Sequence, residues 1–176
     1  MEDMPHKHVA KISIFGMPAS GKTTLAKELG AKLDLPVFHL DKLLWDRGWV
    51  LRSRQDFLDD QQKIIQLDKW IIEGALISSL SARYANSDLV LYLNPSRFLC
   101  LSRVIKRFFV NKINKYQPSD RPDGCHERIL DFIKYLLGFE KAATKRINIL
   151  EKEYPDTPII EVTNHQELLR VKSELL

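Results

Sequence analysis

The sequence predicts an α/β protein built on a parallel β-sheet that is covered by helices on both faces. Short apolar segments, rich in β-branched residues, alternate along the chain with segments of helical periodicity. The apolar segments are continuous rather than alternating, which is typical of strands buried on both sides of a parallel sheet. With 176 residues the chain fits one domain, which we predict to span residues 1–176.

The elements follow from local patterns, taken in chain order. Apolar runs bounded by glycine, asparagine or proline predict five strands, at 9–15, 36–40, 70–73, 89–93 and 158–162. Helical periodicity predicts helices at 22–32, 53–67, 96–110, 126–153 and 164–176. A capping box begins the second helix at Ser53, and either Thr163 or Asn164 caps the last one. A break is expected in the fourth helix near Gly138.

Composition excludes several classes of protein. Hydrophobic residues make up 44% of the chain and charged residues 28%, which excludes a disordered chain, a collagen and a coiled coil. Apolar runs are far shorter than the ~20 residues of a membrane span, and the first residues lack the apolar core of a secretory signal. Cys100 and Cys125 are predicted to be reduced thiols. We therefore expect a cytoplasmic protein with no membrane partner.

Positive charge is concentrated in one segment. The chain has 27 Lys and Arg against 23 Asp and Glu, a net charge of +4. The segment 97–121 contains seven of the basic residues and one acid, Asp120, so it carries +6 and the rest of the chain −2. Such a cluster predicts an anionic partner, either phosphates on a small molecule or nucleic acid.

A complete phosphate-loop motif, GxxxxGK[ST], follows the first predicted strand. Its glycines allow the backbone to wrap a phosphate, and the helix that follows adds its positive N-terminal end. Lys22 is predicted to bridge the β- and γ-phosphates of ATP, and Thr23 to place its hydroxyl on Mg²⁺. An ordinary glycine turn is the alternative, but the strand before and the helix after the motif favour the phosphate site. The predicted nucleotide-binding residues are Gly16, Pro18, Ala19, Ser20, Gly21, Lys22, Thr23 and Thr24.

Two acids stand at the ends of neighbouring predicted strands. Asp41 is a candidate general base that orients the acceptor, or else the N-cap of a helix beginning at Lys42. Glu73 is expected to lie near Thr23, where it would hold Mg²⁺ through water, or else to be an exposed acid at a strand end. His39 is predicted to be a packed core histidine.

Arginines supply the remaining candidates. Arg103 and Arg107 are four residues apart on a predicted helix, so both project from one face, either toward a nucleotide or as a solvated basic face. Arg121 lies in a polar stretch and is a candidate lid residue that reaches the phosphates. Four further arginines are candidates for a second anion site, namely Arg47, Arg52, Arg54 and Arg83.

In this order, the motifs resemble those of the adenylate-kinase-like P-loop kinases. The chain is most similar to the bacterial group labelled "DNA topology modulation protein", FlaR-related. The features that carry the resemblance are the phosphate loop, His39-Leu40-Asp41 with Trp45, Trp70-Ile71-Ile72-Glu73-Gly74, Leu99–Arg107 and Arg121-Pro122-Asp123-Gly124-Cys125. Two departures are Glu73 in place of the group's usual Asp, and the loss of the adenylate kinase motif that binds AMP.

The resemblance implies a strand order of 2-3-1-4-5, an acceptor-binding region at about 41–68 and a small lid at about 111–125. It also implies that Arg103 stacks on adenine and that Arg107 reaches the phosphates. We therefore expect Mg-ATP-dependent phosphoryl transfer to a small-molecule acceptor, such as a nucleotide or nucleoside, with Lys22, Asp41, Arg107 and Arg121 in catalysis. The alternatives are an ATP-binding regulatory protein or ATPase that acts on nucleic acid, and a nucleotide-binding protein without an acceptor.

Overall fold

The structure, a computed structural model, describes residues 9–46, 50–113 and 129–176. The strands are β1 (Lys11–Gly16), β2 (Val37–His39), β3 (Trp45–Asp46), β4 (Val50–Leu51), β5 (Trp70–Glu73), β6 (Leu89–Leu93) and β7 (Ile159–Val162). The helices are α1 (Lys22–Leu33), α2 (Leu40–Leu44), α3 (Arg54–Ile65), α4 (Leu80–Tyr84), α5 (Arg97–Ile113), α6 (Ile129–Glu153) and α7 (His165–Leu175). A short 3₁₀ turn, Ile77–Ser79, precedes α4.

Five strands form one parallel sheet in the order β2-β5-β1-β6-β7. Numbered among the parallel strands alone, this is 2-3-1-4-5, so the expected fold class and order are confirmed. A separate antiparallel pair, β3 with β4, was not expected. Each of its strands has two residues, too few to show a period of two in the sequence.

Helices cover both faces of this sheet. On one face Ile12 and Ile14 of β1 pack with Leu25 and Leu29 of α1 and with residues of α7. On the other face Phe15 and its neighbours pack against α4, α5 and α6. A third cluster packs α2 and α3 against β5 and its edge neighbour β2. The central strands are thus buried on both sides, as their continuous apolar runs predicted.

The predicted caps are confirmed, and one predicted break is wrong. Ser53 Oγ accepts from the Asp56 backbone N–H at 3.1 Å, and Asn164 Oδ1 accepts from the Glu167 N–H at 3.0 Å. Helix α6 continues through Gly138 without interruption. The apolar face of α6 packs into the core on both sides of Gly138, and this burial outweighs the ~1 kcal/mol that glycine costs in a helix.

Within the described ranges, no helix is both long enough and apolar enough to cross a membrane.

Candidate functional site

The loop between β1 and α1 closely approaches β6, and this explains the first glycine of the motif. Gly16 has a φ of +148°, and a Cβ on it would lie 2.1 Å from the Leu93 carbonyl oxygen. The next residue, Met17, donates its N–H to that same oxygen at 3.0 Å. Ala19 and Gly21 also have positive φ, 59° and 104°. The backbone therefore curls over the end of the sheet, a shape that presents successive N–H groups to an anion.

Lys22 is held inside this loop. Its Nζ donates to the Met17 carbonyl oxygen at 2.8 Å, and the residue is only 7% exposed. Burial lowers the pKa of Lys22 to about 8, although Glu73 and Asp41 act in the opposite direction. Ser20 Oγ is buried and has no hydrogen-bond partner within the part of the chain that the structure describes. The loop thus holds the Lys22 ammonium group and the unpartnered Ser20 hydroxyl group where a phosphate would supply hydrogen-bond acceptors.

A carboxylate lies beside the loop at the end of β5. Thr23 Oγ1 donates to Glu73 Oε1 at 3.1 Å, and Glu73 is 3% exposed. The parallel register places Glu73 opposite Ile14 of β1 and opposite His39 of β2. Glu73 therefore lies near Thr23, as expected, and is not an exposed strand-end acid.

The interpretation of His39 as a packed core residue is incomplete. His39 Nδ1 lies 2.6 Å from Glu73 Oε1, the oxygen that also accepts from Thr23. The pattern of the sequence gives only the strand position of His39. Its contact with Glu73 comes from the pairing of β2 with β5, which no local signal reveals.

The oxygens at this edge suit Mg²⁺. Thr23 Oγ1 and Glu73 Oε1 are hard ligands of the type Mg²⁺ prefers, and they are already within 3.1 Å of each other. Among the described residues no group of three or more His, Cys, Asp or Glu could hold a metal by itself. Because Mg²⁺ at phosphate sites is held mainly by water and phosphate oxygens, two protein ligands are enough.

Asp41 follows β2, the strand that neighbours β5 in the sheet. It lies in the first turn of α2, which begins at Leu40, so Asp41 is inside the helix rather than at its N-cap. It is exposed, and its charge is felt by Lys22, Arg83 and Tyr135. Asp41 and Glu73 therefore belong to one electrostatic cluster around Lys22.

Arg103 on α5 contacts the phosphate loop directly. Its Nη1 donates to the carbonyl oxygens of Ala19 at 3.2 Å and Ser20 at 3.3 Å. Arg107 follows one helical turn later and is half-buried. Arg121 lies outside the described residues, as do Arg47 and most of the predicted lid at 111–125.

The prediction of a second anion site fails for two of its arginines. Arg52 donates to Asp60 Oδ2 at 2.8 Å and to the Leu43 carbonyl oxygen at 3.2 Å. Arg83 is 0% exposed, and burial lowers its pKa to about 10. Both guanidinium groups are therefore used within the fold. Arg54 is exposed at the start of α3, and no contact of it supports an anion site.

Tyr135 was missed entirely. This residue of α6 donates its hydroxyl to the Ala75 carbonyl oxygen at 3.2 Å, across 60 positions of sequence. Although 43% of the residue is exposed, desolvation of its hydroxyl group raises the pKa of Tyr135 to about 12, with the charge of Asp41 acting in the same direction. Its helical periodicity is indistinguishable from that of a packing residue, so no signal in the sequence could have found it.

The sheet and the loop define the class of the molecule. A five-stranded parallel sheet with a phosphate loop after its first strand, and helices on both faces, is the fold of the P-loop kinases. The family model AAA_18, described as AAA domain, matches residues 12–105, more than half of the chain. The protein therefore belongs to this family. No curated protein matches the chain.

Solved structures support the same fold. A shikimate kinase from Bacteroides thetaiotaomicron is 15% identical, with 95% of this chain and 94% of that chain covered and a TM-score of 0.56. A shikimate kinase from Acinetobacter baumannii in complex with shikimate is 15% identical, covering 95% and 91%, with a TM-score of 0.52. A gluconokinase from Sinorhizobium meliloti 1021 is 12% identical, covering 97% and 91%, with a TM-score of 0.51. At these identities the similarity shows the fold alone.

Proposed function

We propose that the protein is a P-loop kinase that transfers the γ-phosphoryl group of ATP to a hydroxyl group of a small molecule. One observation carries this proposal. A buried carboxylate, Glu73, reaches the Thr23 hydroxyl beside a complete phosphate loop, while a second acid, Asp41, lies in the first turn of α2, directly after the neighbouring strand β2. Ligands of parallel sheets bind at this carboxyl edge of the strands.

The nucleotide side of the proposed mechanism uses the loop and α1. Lys22 and the loop N–H groups would hold the β- and γ-phosphates, with Ser20 Oγ as a further donor. Thr23 and Glu73 would hold Mg²⁺, which when bound offsets the charge of the phosphates. Arg103, already bonded to the loop at Ala19 and Ser20, would lie against the nucleotide.

The acceptor side would use Asp41. An acceptor hydroxyl oxygen forms the new bond to the γ-phosphorus, and the bond from that phosphorus to the β–γ bridging oxygen breaks, releasing ADP. The hydroxyl proton passes to the Asp41 carboxylate. Arg107 and Arg121 are proposed to offset charge that develops on the transferred group.

We propose one cytoplasmic domain over 1–176, with an acceptor region at about 41–68 and a lid at about 111–125. Membership of the adenylate-kinase-like "DNA topology modulation" group rests on the sequence resemblance described above. Arg103 facing the loop favours the kinase over an ATPase that acts on nucleic acid, because phosphodiester contacts require basic residues on an outer face.

The test is ADP release from Mg-ATP by the purified protein, alone and with nucleosides, nucleoside monophosphates, sugars, sugar acids or short DNA. Stimulation by one small molecule, with a new phosphorylated product in the mass spectrum, is the expected result. Stimulation by DNA alone, lost steeply with added salt, would support the nucleic-acid alternative. ATP binding with no product from any acceptor would contradict the kinase proposal.

A further inference from the structure

Three consecutive carbonyl groups follow strand β5, which ends at Glu73, and side chains from two helices bind all of them. Arg83 Nη1 donates to the Gly74 oxygen at 3.3 Å, and Arg83 Nη2 donates to the Leu76 oxygen at 3.0 Å. Tyr135 donates its hydroxyl to the Ala75 oxygen between them at 3.2 Å. We call residues 74–76 the β5 loop. Arg83 comes from α4 and Tyr135 from α6, so this loop is held from two directions.

Burial of the charged Arg83 side chain at this position costs free energy. It is 0% exposed and forms none of the ion pairs found among the described residues, although the charges of Glu73 and Asp41 favour its charged form. Its Nε has no hydrogen-bond partner within the same part of the chain, and its guanidinium lies 5.6 Å from the centre of the Phe15 ring. A buried cation without an acid partner usually lowers stability relative to an apolar residue. A role in holding the β5 loop would account for its presence.

The β5 loop lies at the edge where an acceptor would bind. It begins directly after Glu73, at the carboxyl end of its strand. Arg83 and Tyr135 contact the backbone that directly follows Glu73, and the charge of Asp41 raises the pKa of both residues. A shift of this backbone would therefore change the distance between the two acids and an acceptor hydroxyl.

We propose that Arg83 and Tyr135 are positioning residues that fix the β5 loop and thereby the acceptor edge of the site. Neither side chain needs to touch the acceptor. The effect on catalysis rests on the proposed kinase function, whereas the effect on the loop does not.

The first experiment measures amide hydrogen exchange of the peptide containing residues 74–77 by mass spectrometry in Tyr135→Phe. This variant removes only the hydroxyl that donates to Ala75. The loss of one hydrogen bond should speed local exchange about fivefold. The matched control is Tyr84→Phe, which removes a hydroxyl donating to the Thr157 carbonyl oxygen at 3.4 Å, away from the β5 loop. Equal exchange of the peptide in the two variants would overturn the proposal.

The second experiment uses Arg83 and separates positioning from folding. Arg83→Lys keeps the charge but offers one nitrogen, so it can hold only one of the two carbonyl groups at a time. Arg83→Met removes the charge and both donors at similar length. We expect exchange of the 74–77 peptide to be slowest in the wild type, faster in Arg83→Lys and fastest in Arg83→Met. If the peptide exchanges as slowly in folded Arg83→Met as in the wild type, the loop does not depend on Arg83.

The third experiment measures ATP hydrolysis, in which Mg-ATP is the substrate and water is the acceptor. In Tyr135→Phe and Arg83→Lys, kcat for ATP hydrolysis should fall about fivefold or more while KM for Mg-ATP stays within twofold. A rise in KM with unchanged kcat would place these residues in nucleotide binding and overturn the proposal. If the wild type hydrolyses no ATP and phosphorylates no acceptor, the proposed function fails, but the exchange experiments still decide whether the loop is held as described.

Discussion

The phosphate loop and the acceptor edge meet at the same end of the sheet, but they are built in opposite ways. The phosphate loop is a run of adjacent residues, 16–23, whose shape is determined by backbone conformation and by contact with Leu93. The acceptor edge is assembled from separate segments, contributing Asp41, Glu73, Arg83 and Tyr135.

Because they are built differently, the two regions should respond differently to mutation. In the phosphate loop, one residue changes one local property, either a dihedral angle or a single donor. At the acceptor edge, each residue acts through contacts with others distant in sequence, so its effects depend on packing. The following predictions test this contrast, beginning with the largest effect.

Lys22→Ala should lower phosphoryl transfer about a thousandfold or more, because it removes the cation that contacts both phosphates in the proposed complex. Turnover and ATP affinity would be measured together. Lys27→Ala, an exposed lysine of the same helix α1, serves as the control and should behave as wild type. Unchanged turnover in Lys22→Ala would rule out the phosphate-loop assignment.

Asp41→Asn should lower turnover about a hundredfold, since it removes the proposed base, and should leave ATP affinity within about threefold. Steady-state kinetics and direct ATP binding would separate the two effects. Asp46→Asn, in the same region with a side chain 68% exposed, is the control. A loss of ATP affinity with turnover maintained would show that Asp41 is structural.

Gly16→Ala should lower the free energy of unfolding by about 3 kcal/mol, because its Cβ would overlap the Leu93 carbonyl group. Gly21 also has a positive φ, but a Cβ there meets nothing within 4 Å. Gly21→Ala should therefore cost only about 1 kcal/mol from backbone strain. Urea denaturation of both variants measures the difference, and equal losses would show that the contact with β6 is unimportant.

The pKa of Lys22 predicts a pH dependence of ATP binding. Burial lowers this pKa from 10.5 to about 8, and bound phosphates would favour the charged form. Above pH 8 binding must therefore take up a proton, so the Kd for ATP should rise by up to about tenfold per pH unit. Lys22→Arg stays charged and should show a flat profile over pH 7.5 to 9.5. The stability of the protein without nucleotide should change in the opposite direction. Between pH 8 and 10.5 the unfolded chain keeps the Lys22 proton that the folded protein has lost, so the free energy of unfolding rises with pH.

Gly138→Ala should raise the free energy of unfolding by about 0.5–1 kcal/mol, because Gly138 lies inside a continuous helix and a Cβ there meets nothing within 4 Å. Thermal or urea unfolding measures this gain. A loss of stability would indicate that the backbone at Gly138 needs the freedom of glycine, as the sequence suggested.

Much of the fold and one half of the site could be read from local patterns. The strands 70–73 and 89–93 match β5 and β6 in both bounds, because their apolar runs end sharply at Gly74 and Asn94. The phosphate loop was found because its residues are adjacent and each has a local reason. The loop 74–76 offered no such signal.

The remainder depends on tertiary contact. Arg83 is one of four candidates for an anion site in the sequence, because a sequence shows its charge but not its burial. His39 and Tyr135 gained their partners through strand pairing and helix packing across 34 and 60 positions. The break expected at Gly138 was wrong because propensity is a weak local preference, and the core contacts of α6 decide its course.

The unbroken course of α6 has a mechanical consequence. Its 25 residues form a rod about 37 Å long, with Tyr135 near one end and core residues such as Ala143 and Leu150 along the rest. A break at Gly138 would let the first turns of α6 tilt independently of the rest. Because the helix is continuous, a tilt of its first turns would turn the whole helix and move the Tyr135 hydroxyl group relative to the end of β5. The position of the Tyr135 hydroxyl group at the end of β5 is therefore tied to the packing of the whole helix in the hydrophobic core.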